Sequence, residues 1–221
     1  MRTSIGLFGG TFDPVHFGHL RAAAELCDAL RLGRLVFLPS GSPWQKGDSL
    51  LTPAAHRAAM LRLAIAQEPR FAIDERELAR AGATYTFDTL SEFRAELGNG
   101  TPLLWLIGNE AFERLHTWHR WRELFLLAHF VVAWRGAVAR ESADAAPDAA
   151  EFSALRKQMT VVDAGVLKIR PAGLIYHLRI PYLDISATSI RDKIRGGQCA
   201  RYLVPDAVLD YIQQQHLYIQ E

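Results

Sequence analysis

Four short runs limit what this chain can fold into: SIGLFG at residues 4–9, RLVFLP at 34–39, PLLWLIG at 102–108 and AHFVVA at 128–133. None alternates cleanly between apolar and polar residues. A strand with one wet face shows that alternation, whereas a near-continuous apolar run must be covered on both faces. Longer amphipathic stretches separate the runs. They predict helices at 20–32, 53–67 and 86–97, with further strands at 71–74 and near 175–180. Thr52 and Pro53 look like a cap and a first helical residue, and Gly98, Asn99 and Gly100 end the third helix.

Strands and helices in this succession predict an α/β fold, a Rossmann-like open parallel sheet with helices on both faces. Helical patterns at 186–195 and 205–214 add a small C-terminal helical segment. Residues 135–150, polar and alanine-rich, read as a mobile connection or a short surface helix, not as a domain boundary. In such a sheet the turns after the strands line one rim, where ligands bind. Gly9 and Gly10, Pro39 and Ser40, and Gly108 and Asn109 all fall there, so three separate segments should converge on one site.

Composition narrows the partners. With 221 residues, 22% of them charged and a net charge of +1, nothing in the global charge advertises nucleic acid or an acidic membrane. Anion binding therefore has to come from a local cluster. No run approaches the roughly 18 to 20 apolar residues that cross a bilayer, and residues 4–8 are too short for a secretory core. Cys27 and Cys199, isolated from one another, read as free thiols in a reducing cytoplasm. The Asn99, Gly100, Thr101 sequon then means only a turn.

The first turn concentrates the chemistry. GLFGGTFDPVHFGH matches neither G-x-x-x-x-G-K-[ST] nor G-x-G-x-x-G. It reads as a strand, paired Gly9 and Gly10, Thr11, an Asp13-Pro14 turn, and a helix starting at Phe17 or Gly18. Glycines let a ligand approach the backbone, and a helix start offers unpaired N–H groups with a partial positive charge. His16 and His19, three apart, face the same side, and Gly18 between them keeps the surface low enough for a phosphate or a flat base. The residues alone leave three uses open: incidental surface imidazoles, a metal pair, for which no acid stands at ligand spacing, or donors to an anion. Far downstream, ISATSIR at 185–191 offers Ser186 as a helix cap, hydroxyls on Thr188 and Ser189, and Arg191 about one turn on. Its forked guanidinium suits a triphosphate, although an ordinary capped helix with a solvated arginine has the same pattern.

Together these strings carry a resemblance. GGTFDPVHFGH resembles the H-x-G-H signature of the nucleotidyltransferase superfamily that binds ATP or CTP, and ISATSIR resembles its I-S-x-T-x-x-R motif, in the same order. FLPSGSPWQKGD, MLRLAIAQEPRFAIDERELARAGATYTFDTL, LLWLIGNEAFERLHTWHRWREL and AHFVVAWR are similar to segments of the bacterial nicotinate mononucleotide adenylyltransferases, so the likeness runs across nearly the whole chain. It implies one nucleotidyltransferase domain over 1–221, its C-terminal helical part starting at about 186. It also implies transfer of AMP from ATP to nicotinate mononucleotide, giving deamido-NAD and pyrophosphate.

By the same resemblance His16, His19, Lys46 and Arg191 carry catalysis. Gly9, Gly10, Thr11, Phe12, Gly18, Gly108, Glu110, Ile185, Ser186 and Thr188 bind ATP. Tyr85 and Thr86 offer backbone N–H groups to the nicotinate carboxylate, Trp118 stacks on the pyridine, and Arg135 lies near the mononucleotide. Trp121 is close enough in sequence to compete with Trp118 for the stacking role. The family pattern after the fourth strand is I-G-x-D; here Glu110 replaces the aspartate, one methylene longer. Mg²⁺ is expected on the phosphate oxygens, with no metal ligand drawn from the protein. The implied partners are two small molecules, with neither nucleic acid nor a membrane; the oligomeric state is open. Alternatives are another superfamily member, acting on phosphopantetheine or nicotinamide mononucleotide, and a catalytically silent nucleotide-binding protein.

Overall fold

The computed structural model describes residues 3–43, 51–134, 147–181 and 183–219. Their chain order runs through β1 (Ile5–Gly10), α1 (Phe17–Leu30), β2 (Leu35–Pro39), β3 (Ser42–Pro43), α2 (Ala54–Ile65), β4 (Phe71–Ile73), α3 (Arg76–Ala79), β5 (Ala83–Thr84) and α4 (Thr86–Leu97). There follow β6 (Leu103–Gly108), α5 (Asn109–Glu113), a 3₁₀ turn (Leu115–Thr117), α6 (Trp121–Leu127), β7 (His129–Trp134) and α7 (Pro147–Met159). The last elements are β8 (Thr160–Val161), a second 3₁₀ turn (Ala164–Lys168), β9 (Ile175–Arg179), α8 (Ala187–Arg195) and α9 (Asp206–Gln214). Seven strands form one sheet in the order β4-β2-β1-β6-β7-β9-β8, every pair parallel. β3 and β5 make a separate two-stranded parallel pair.

The unbroken apolar runs do what their composition requires. Along β6, Leu104 and Leu106 face one core, while Leu103, Trp105 and Ile107 face the other. On the first side the sheet packs under α1 (Leu26, Leu30), α2 (Met60, Leu61), Ile190 of α8, and Val208 and Ile212 of α9. On the second it packs under α4 (Leu90, Phe93), α6 (Leu124, Phe125) and Phe152 of α7. The C-terminal helices thus share the core of the sheet. Two buried arginines lie at its ends. Arg94 donates to the carbonyls of Leu127, Thr101 and Pro171 at 2.5–2.8 Å, and to Gly98, tying together the turns before β6 and β9. Arg57 does the same at the opposite rim.

Helix starts differ in detail from the sequence reading. α2 begins at Ala54 with an extended Pro53 (φ −48°, ψ 141°) as its cap residue, so Thr52 does not cap it. Instead the Thr52 carbonyl accepts from Arg57 at 2.9 Å, and its N–H donates to Asp13. Ser186 caps α8 as expected, its Oγ accepting from the Ser189 N–H at 3.1 Å. The segment read as connection or short surface helix holds, from Pro147 on, the start of a 13-residue helix.

Candidate active site

The C-terminal ends of β1, β2 and β6 converge as their order in the sheet demands. A cleft of about 220 Å³ lies among them, lined by Gly9, Gly10 and Thr11 after β1, Ser40 after β2, and Gly108 with Ala111 after β6. Its far wall is Glu77, Thr84, Thr86 and Trp118. A roomier cleft of about 510 Å³ includes Asn109, Glu113, Trp134, Arg156 and His177 and shares no described lining residue with the first. It holds none of the residues of the two motifs, whereas the smaller one is lined by Gly9, Gly10 and Thr11 of the first, which makes it the candidate site.

The histidine end is tightly built. His16 is the cap residue of α1 and is 4% exposed; its backbone N–H donates to His19 Nδ1 at 3.3 Å. The two rings stack 3.7 Å apart, on one side of the helix as their spacing requires. With Nδ1 accepting, a neutral His19 carries its proton on Nε2, and that nitrogen is the ring's donor. The glycines serve this packing directly. A Cβ on Gly18 would sit 2.9 Å from His16 Nδ1, one on Gly9 2.6 Å from the Trp105 ring, and one on Gly10 3.0 Å from Phe12. Their missing side chains make room for protein groups, where the sequence suggested room for ligand. Phe12 is buried with left-handed backbone (φ 49°), its ring edge-on to Phe8, Phe37 and His19.

The second motif closes on the first. Arg191 donates to the Asp13 carbonyl at 2.7 Å and to Thr188 Oγ1 at 3.3 Å, and the Ile185 carbonyl lies 3.6 Å from where a Gly18 Cβ would be. The N-termini of α1 and α8 therefore sit side by side, a doubled partial positive charge beside an arginine. Asp13, 1% exposed, accepts from the Tyr218 hydroxyl at 2.6 Å and the Thr52 N–H at 3.3 Å. Burial and the Asp13 carboxylate raise Tyr218 far above the ordinary phenol value, so it stays protonated and donating.

At the other end Thr86 opens α4, with Tyr85 as its cap residue and the Tyr85 ring 4.5 Å from His119. Trp118 is partly buried and faces the cleft, while Trp121 is 4% exposed in the core, edge-on to Phe152 at 5.6 Å. Of the two tryptophans, only Trp118 lines the cleft. Burial raises the Glu77 carboxyl above its ordinary value, although the Thr89 hydroxyl donates to it at 2.7 Å. A carboxyl pushed toward its neutral form is compatible with an anionic ligand alongside. Glu110 is exposed in the first turn of α5, and a Cβ on Gly108 would meet nothing within 4 Å. Lys46 and Arg135 lie outside the described residues. Among those described, no cluster of three His, Cys, Asp or Glu side chains is arranged to hold a metal ion, and no helix is long and apolar enough to cross a membrane.

Sequence reasoning missed Arg57, Tyr218, Glu77 and His119. Arg57 had a readable signal: it falls in step with Leu61 and Ile65, on the buried stripe of α2.

The model of the cytidylyltransferase-like family matches residues 7–193, a span that takes in both motifs. The chain belongs to that family. It is 47% identical over 221 residues to a protein of Laribacter hongkongensis, covering all of this chain and 96% of the relative. It is 44% identical over 212 residues to one of Marinobacter nauticus, covering 96% and 95%. Both carry the name "Probable nicotinate-nucleotide adenylyltransferase". Among solved structures, the nicotinic acid mononucleotide adenylyltransferase of Plasmodium falciparum complexed with NaAD superposes with a TM-score of 0.72 at 19% identity, covering 98% of this chain and 97% of that one. At that identity the likeness speaks for the fold.

Proposed function

We infer that this nucleotidyltransferase, acting as a single domain, transfers the adenylyl group of ATP to nicotinate mononucleotide and releases pyrophosphate. One observation carries the reading: Gly9, Gly10 and Thr11 of the first motif and the Thr86–Trp118 wall line the same cleft. A triphosphate at the first end and a flat, carboxylated ring at the second would bring a 5′-phosphate up to the α-phosphorus.

The mononucleotide phosphate is already ionised at neutral pH. One of its oxygens attacks the α-phosphorus, and the bond to the oxygen bridging toward the β-phosphorus breaks, so pyrophosphate leaves with that electron pair. No proton has to be removed, so neither histidine is needed as a base. Catalysis rests on alignment and on donors placed where charge builds up. His19 through Nε2–H, Arg191 and the two helix N-termini supply those donors on the described residues. We assign Lys46 to the triphosphate as well, and Arg135 to the mononucleotide side. Thr86 at its helix start offers N–H groups to the nicotinate carboxylate, and Trp118 a face for the pyridine. Both Asp13 carboxylate oxygens are taken by Tyr218 and Thr52. The first turn therefore offers no free carboxylate to a metal, and Mg²⁺ accompanying ATP would be held by the substrate and would supply positive charge to the leaving group.

The test is pyrophosphate release by purified protein with ATP and Mg²⁺, offered nicotinate mononucleotide, nicotinamide mononucleotide or phosphopantetheine in turn. The acid mononucleotide should give the highest kcat/KM. Turnover with phosphopantetheine alone would reassign the substrate, and no release with any of the three would refute the enzyme reading.

A further inference from the structure

Arg57 is 1% exposed in the first turn of α2, and among the described residues its side chain donates to backbone carbonyls, none of its hydrogen bonds going to a carboxylate. Its Nη1 donates to the carbonyls of Thr11 at 2.8 Å and Ser40 at 2.7 Å, its Nη2 to Gly41 at 3.2 Å, and its Nε to Thr52 at 2.9 Å. These carbonyls belong to the turn after β1, the turn after β2 and the segment that enters α2. Thr11 and Ser40 line the cleft itself. One guanidinium thus ties together the loops that form the triphosphate end of the site.

The direction of those bonds matters. In a planar trans peptide the N–H points opposite to the C=O. Drawing the Thr11 and Ser40 carbonyls down onto Arg57 turns the N–H groups of Phe12 and Gly41 away from it, toward the rim. Phe12 is held in the left-handed region, which a bulky residue rarely adopts unless its surroundings impose it. The surroundings here are Arg57 on the preceding carbonyl and the aromatic packing of the Phe12 ring. Asp13 supplies the balancing charge: burial lowers Arg57 from the ordinary guanidinium value, and the Asp13 carboxylate counteracts that.

We propose that Arg57 is a positioning residue for adenylyl transfer, pulling two rim carbonyls inward so that the N–H groups of Phe12 and Gly41 are set for the triphosphate before it arrives. The proposal rests on the adenylyl-transfer reading above. Arg57, buried beneath the rim, acts through the backbone it fixes. Arg94 is its internal control, a second buried guanidinium on carbonyl oxygens, at the ends of the strands away from the cleft.

The experiment compares Arg57→Lys and Arg94→Lys with the wild type, by melting temperature and by kcat and KM for each substrate at a temperature where all three are folded. A lysine keeps the charge but cannot span four carbonyls. Both variants should lose melting temperature. Arg57→Lys should also lose kcat on the order of 10- to 100-fold, as misplaced donors do, with a raised KM for ATP and a KM for nicotinate mononucleotide within about twofold of wild type. Arg94→Lys should keep all three constants. Arg57→Lys with wild-type kcat and KM for ATP would overturn the proposal. Should Arg57→Lys fail to fold, the wild type decides: on titration with inorganic pyrophosphate, the Phe12 and Gly41 amide resonances should shift strongly in ¹H–¹⁵N spectra, and still amides at both positions would refute it. A wild type that turns over no ATP would sink the transfer reading, while the amide shifts would still judge Arg57.

Discussion

At the end of the cleft we assign to the triphosphate, the polar groups are held from beneath by something buried; at the end we assign to the pyridine, they stand on short elements near solvent. His16 and His19 stack over a glycine, Arg191 is tied to the Asp13 carbonyl, and Arg57 fixes the loops below. Trp118, by contrast, sits between a three-residue 3₁₀ turn and α6, and the ring of Tyr85 rests on the exposed imidazole of His119. The contrast suits the chemistry. Charge stabilisation needs donors fixed before the reaction, because reorganising them costs rate. Gripping a flat ring needs contact area, which side chains that adjust on binding also provide.

The sharpest way to break the comparison is at the rigid end. His19→Ala should lower kcat by roughly 10²-fold, the usual cost of losing one preorganised donor, with an unchanged fold by circular dichroism. Near-normal turnover would remove His19 from the mechanism and with it the link between rigidity and rate. At the other end the two tryptophans should separate. Trp118→Ala should raise KM for nicotinate mononucleotide about tenfold and leave KM for ATP alone, since base–aromatic stacking is worth about 1–3 kcal/mol. Trp121→Ala should spare both constants and cost about 3–5 kcal/mol of stability, as truncation of a core aromatic does. Equal shifts of both KM values in Trp118→Ala would mean that it packs and does not bind.

A smaller effect lies away from both ends. His129 is fully buried in β7, its Nε2 2.8 Å from the Arg170 carbonyl and its Nδ1 accepting from the Leu174 N–H at 3.1 Å. Burial lowers it below the ordinary value of 6.5, so the folded ring is neutral. As pH falls below about 6.5, the unfolded chain takes up a proton that the folded ring refuses. Stability should therefore fall with pH there, by at most about 1.4 kcal/mol per pH unit from this one group. Urea melts at about pH 7.5 and about pH 5.5 should show a smaller acid loss in His129→Gln than in the wild type. An unchanged loss would place the acid sensitivity elsewhere, for instance at His177 of β9, which desolvation also lowers.

How much of this was legible follows the same division. The sheet was readable because residues 102–108 and 128–133 are apolar on both faces, and two-sided burial leaves few architectures. The first turn stood out as one possible anion site because its groups lie in contiguous strings with helical spacing, and the resemblance then assigned it to the triphosphate. The pyridine end was placed only by resemblance, since nothing local in LHTWHRW separates a stacking tryptophan from a packing one; the structure separates Trp118 from Trp121 by burial. The α7 helix went unread beyond its first residues because Phe152 is its one deeply buried side chain among those described, too little for a periodic signal. The β3–β5 pair was invisible because two-residue strands are set by the segments they meet across the fold.

The central claim is that both substrates occupy one cleft together and that the adenylyl group passes directly between them. Exchange of labelled pyrophosphate into ATP tests it. With ATP, Mg²⁺ and labelled pyrophosphate alone, no label should enter ATP, and adding deamido-NAD should start the exchange. Rapid exchange without the pyridine nucleotide would show an adenylyl group held on the enzyme, and would contradict direct transfer.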